Sequence, residues 1–75
     1  MENISVTLHP DWINPDVDLV GVDGNAFSIM GYVNRALRKA GNSQAVRDAY
    51  QDAATEGDYD HLLRVSMLYA GMMEA

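Results

Sequence analysis

Three groups of residues carry side chains that could do chemistry. Gly57-Asp58-Tyr59-Asp60-His61 packs two carboxylates and an imidazole into one turn, enough donors for half a metal site or an acid/base pair. The other histidine is His9, and no H-E-x-x-H or second carboxylate-histidine group completes the set. These acids are therefore read as a first helical turn, where carboxylates answer the helix dipole. Asp16, Asp18 and Asp23 invite a calcium reading, but counting from Asp16 puts Val20 and Gly21 at the fifth and sixth places of a loop that needs an oxygen ligand and then glycine. Nucleophilic catalysis has no footing either. The serines lack a G-x-S-x-G elbow, and no spacing pairs them with a histidine. Zero cysteines remove thiolate zinc sites, disulfides and a cysteine nucleophile together. The chain is expected to be no enzyme, with no catalytic residue, metal or cofactor.

The third group is the turn Asp23-Gly24-Asn25, which follows an apolar run and opens a helix. Such a turn collects free N–H groups at the positive end of a helix dipole, the generic geometry for an anion. Neither G-x-x-x-x-G-K-[ST] nor G-x-G-x-x-G is present. A structural cap is the first reading. The alternative is a small anionic ligand of nucleotide type held at Asp23, Gly24 and Asn25 with help from Arg35 or Arg38.

Charge is unevenly spread. Residues 1–24 hold five acids (Glu2, Asp11, Asp16, Asp18, Asp23) and no base, while Arg35, Arg38 and Lys39 supply three of the five basic charges. A net charge of −6 argues against general adhesion to nucleic acid or to an anionic membrane. The basic cluster is read as a solvated face or as half of an acid-base match between subunits. Trp12, Tyr59, Tyr69, Met67, Met72 and Met73 are of types enriched at protein contacts, and in so small a chain they suit a core equally well. The apolar excess of the last helix makes Trp12, Met67, Leu68, Met72 and Met73 the expected interaction surface.

The elements that must position these groups follow from periodicity. Ile4, Val6 and Leu8 alternate with polar residues, predicting a short strand that His9-Pro10 stops. Val17 to Val22 predicts a second strand. Ala26, Met30, Val33, Leu37 and Ala40 recur at helical spacing, widened by Phe27, Ile29 and Ala36 and closed at Gly41. Ser43 caps a second helix carrying Val46, Ala49, Tyr50 and Ala53, which ends at Gly57. Asp58 caps a third, running through Leu62, Leu63, Ser66 and Tyr69 to the methionines, and apolar on nearly every face. The expected fold is α+β, a short two-stranded N-terminal sheet followed by three helices, in one domain spanning 1–75.

At 8.3 kDa the chain hides only about 60% of its unfolded surface, so burial and ordering entropy nearly cancel at about 110 kcal/mol each. That balance predicts a homodimer. MENISVTL lacks the basic and apolar regions of a signal peptide, and no apolar run approaches 18 residues, so the cytoplasm is the expected compartment.

The stretches Val20-Gly21-Val22-Asp23-Gly24-Asn25-Ala26-Phe27, Ala36-Leu37-Arg38-Lys39-Ala40-Gly41 and Gly57-Asp58-Tyr59-Asp60-His61-Leu62-Leu63 resemble a set of small proteins without assigned activity in bacterial genomes, plasmids and phages. The resemblance covers roughly residues 17–65 and leaves out the N-terminal strand and the methionine-rich tail. It implies a recurring compact fold and an accessory role in mobile DNA or its host, with no reaction and no ligand. Taken together, the expected function is that of a small acidic protein–protein interaction module.

Overall fold

A computed structural model describes residues 7–73 and contains three helices: α1 (Ala26–Lys39), α2 (Gln44–Ala54) and α3 (Tyr59–Ala70). Each begins where a polar side chain accepts an otherwise orphaned N–H group. Asn25 accepts from Phe27, Ser43 from Val46, and Asp58 from His61. Arg38 and Lys39 lie in the last turn of α1, where the dipole favours cations. α2 stops three residues before Gly57, and the Thr55 hydroxyl donates back to the Gln51 carbonyl at 2.9 Å.

Each helix packs against the other two. Ile29, Val33 and Leu37 of α1 meet Val46, Tyr50 and Ala54 of α2, and Leu62, Val65 and Tyr69 of α3, in one buried cluster. The Tyr50 and Tyr69 rings lie 5.4 Å apart at a tilt of 55°, a favourable aromatic arrangement. The Tyr59 hydroxyl donates to the Gly24 carbonyl, so the starts of α1 and α3 lie side by side.

The expected sheet is absent among the described residues, and the fold is all-α rather than α+β. Ile4 and Val6, two of the three apolar positions of the first predicted strand, lie outside the described residues. Val17 to Val22 is an irregular strap whose backbone donors go elsewhere: the Val17 N–H to the Ala70 carbonyl, the Leu19 N–H to Met72 Sδ and the Val22 N–H to the Leu19 carbonyl. Asn14 Oδ1 accepts from the Asp16 N–H and Asp18 Oδ1 from the Val20 N–H, both two residues on, which bends the chain and removes groups a ladder would need. Positive φ values at Asp16 (54°) and Gly21 (88°) complete the bends. The apolar residues of this segment still find the interior: Leu8, Trp12, Leu19 and Val22 pack against the helical cluster.

One buried residue fastens the strap to the bundle. Asn42, 5% exposed, accepts from the Ile13 N–H at 2.7 Å and donates to the Ile13 and Leu37 carbonyls at 2.9 Å each. Gly71 ends α3 in the left-handed conformation (φ 89°), and a Cβ there would collide with the Asn14 side chain. Met72 and Met73 therefore lie beyond the helix rather than on it.

Candidate functional site

The surface expected on α3 is largely spent on the fold. Trp12 is half-buried, and its indole N–H donates to the Tyr69 carbonyl at 3.1 Å. Leu68 is 4% exposed and belongs to the interior, and Met67 is half-buried. Met72 and Met73 do face outward, at 41% and 38% exposure, and Met72 Sδ accepts from the Leu19 N–H at 3.4 Å. Of the five expected contact residues, these two are exposed, Trp12 and Met67 are half-buried and Leu68 is buried.

The most exposed large apolar side chains lie elsewhere, at the start of α1. Val20 is 83% exposed and Phe27 is 81% exposed. Helical geometry explains Phe27: two residues from Ile29 is about 200° of rotation, so with Ile29 on the core the Phe27 ring must leave it. Asn25 capping fixes that register. Phe27 forms the shared rim of two grooves. One, of about 460 Å³, runs along the outer face of α1 and is lined by Asp23, Phe27, Ser28, Gly31, Tyr32 and Arg35. The other, of about 360 Å³, is apolar and includes Ala26, Met30, Ala54, Tyr59 and Leu62. Val17, Tyr32, Arg35, Ala36 and Lys39 border a third groove, of about 350 Å³, so α1 carries its basic residues along the same exposed side.

The Asp23-Gly24-Asn25 turn satisfies its own donors. Asp23 Oδ1 accepts from the Asn25 N–H at 3.1 Å, and Asn25 Oδ1 from the Phe27 N–H at 2.8 Å. Arg35 shares a groove with Asp23, while Arg38 is exposed nearly a turn further along α1. The histidines are also engaged. His61 Nε2 lies 2.8 Å from the Ala53 carbonyl, and His9 Nδ1 accepts from the Asp11 N–H at 3.0 Å. Among the described residues no three His, Asp or Glu side chains are grouped to hold a metal ion. Burial raises the Tyr50 and Tyr69 hydroxyls above the ordinary tyrosine pKa, partly offset by bonds to Ser66 and to the His9 N–H. Both belong to the core rather than to a cleft.

No protein-family model, curated protein or solved structure matches this chain. The resemblance of residues 17–65 to small bacterial, plasmid and phage proteins gains nothing from these comparisons. Among the described residues, no helix is long and apolar enough to cross a membrane.

The sequence reading missed Phe27 because it counted that residue with the buried stripe. The signal was available. Measured from Ile29, Met30 and Val33 fall within about 100° of rotation, whereas Phe27 falls on the opposite side with Gly31 and Arg38.

Proposed function

We propose that the chain is a small non-enzymatic protein-interaction module that docks through the outer face of α1 and the adjoining Val20 turn. The exposure of its single phenylalanine carries this reading. Leaving a phenylalanine in water forgoes about 2 kcal/mol of burial, which docking recovers. Phe27 and Arg35 share one groove, and aromatic residues and arginine are the types that contact surfaces concentrate. Met72 and Met73 supply a second apolar exposure. A cytoplasmic setting fits the absence of cysteine. Service to mobile DNA is the setting that the resemblance implies. An anionic ligand at the Asp23 turn is the weaker reading, because Asp23 is itself a carboxylate there and the turn's side chains already occupy two of its donors.

Photo-crosslinking in the native host tests the docking face. A benzophenone side chain in place of Phe27 should give adducts of defined mass, whereas the same group in place of Gln51, exposed on α2, should give none. Adducts from neither position, or equally from both, would remove the docking reading.

A further inference from the structure

We infer that the occupant of this face is a second copy of the same chain, paired antiparallel through α1 about a two-fold axis at Gly31. The inference rests on the docking reading above and names its partner. An antiparallel pairing centred on Gly31 sets residue 31−n opposite residue 31+n of the other copy. One pair of exposed positions equidistant from Gly31 is chemically complementary: Phe27 and Arg35 stand four residues away on either side. Each Phe27 ring then meets the partner subunit's Arg35, a cation–π contact made twice.

The surface is prepared for this. Phe27, Gly31 and Arg35 follow one another at successive turns, each about 6 Å along the axis, and share with Asp23 the groove of about 460 Å³. The groove gives the incoming ring a place to seat. Arg35 is exposed at the edge of that groove. A glycine inside an exposed helix weakens it, yet nothing in the monomer requires one at position 31: a Cβ there would find only Arg35 Nη1, at 3.9 Å. Close approach of a second helix gives that glycine a purpose. Antiparallel pairing also sets each helix dipole against the other.

In sedimentation equilibrium the native chain should show twice the 8.3 kDa chain mass. Phe27→Ala and Gly31→Ala should each weaken self-association at least tenfold, and Gly31→Ala should raise the melting temperature of dilute monomer by a few degrees. A native chain that stays monomeric across the micromolar range overturns the inference, as do Phe27→Ala and Gly31→Ala chains that pair as tightly as the native one. Crosslinks from position 27 to a different protein alone would also overturn self-pairing, while leaving the docking reading intact.

Discussion

α3 and α1 invert the roles that their patterns suggest. α3 is apolar on nearly every face, which in a free helix would mean surplus surface for a partner. Yet six of its residues are buried, because α1, α2 and the strap cover it from different sides. α1 has the cleaner two-faced pattern and holds its buried stripe on Ile29, Val33 and Leu37, yet its outward face carries the most exposed aromatic side chain of the described residues. A helix apolar all round signals several neighbours, and here the chain supplies them all. A single large apolar residue out of phase with a strong stripe stays in water, which is why the proposed docking face lies at Phe27.

Truncation on each helix breaks or sharpens this contrast most. Leu68→Ala should cost about 3 kcal/mol, the sum of lost transfer energy and a cavity in a packed interior. Phe27→Ala should change stability by less than about 0.5 kcal/mol, as for an exposed residue without internal contacts. Urea denaturation of dilute protein measures both. Comparable losses at the two positions would return Phe27 to the core and erase the distinction.

The strap is the second test, since it makes α3 internal. Asn42→Ala removes three hydrogen bonds and strips the Ile13 N–H and carbonyl of their side-chain partner, at a cost of about 2 kcal/mol. Trp12, the only tryptophan, reports the detachment. Its fluorescence should shift to longer wavelength as the indole leaves the Tyr69 carbonyl for water. A stability loss without that shift would mean that Asn42 serves the turn between α1 and α2 and not the strap.

The helices were legible because their signals are local. Asn25, Ser43 and Asp58 cap where short polar side chains before apolar periodicity should cap, and Gly41 and Gly71 take positive φ just past two helix ends. The strap was not legible as a strap. Val17 to Val22 has strand composition, and its placement over the end of α3, with its donors going to Ala70, Met72, Asp18 and Leu19, decides against pairing. The contact surface was placed by a weaker signal. Trp12 and Leu68 were judged by residue type, which cannot distinguish a core from an interface, while Phe27 was identifiable from phase alone.

The smallest effect concerns the interior shared by α2 and α3, where ionisation rather than truncation probes burial. Tyr50 is buried with its hydroxyl 2.7 Å from Ser66 Oγ, and Tyr69 is buried beside it. Burial raises both pKa values in the folded chain above the ordinary value of 10.0. Between that value and the raised ones, the unfolded chain has released protons that the folded chain still holds. Rising pH therefore draws the equilibrium toward the unfolded state. The stability is fully present below pH 10 and is lost as pH climbs through the folded values, by at most about 1.4 kcal/mol per pH unit for each tyrosine. Tyr50→Phe leaves Ser66 without this partner and should cost about 1 kcal/mol near neutrality. Above pH 10 the variant should lose stability about half as steeply as the native chain, because one buried phenol remains instead of two. Urea midpoints at neutral pH and above pH 10 decide the matter: equal alkaline slopes would show that Tyr50 ionises as freely in the folded chain as in the unfolded one, and that the seam between α2 and α3 admits water.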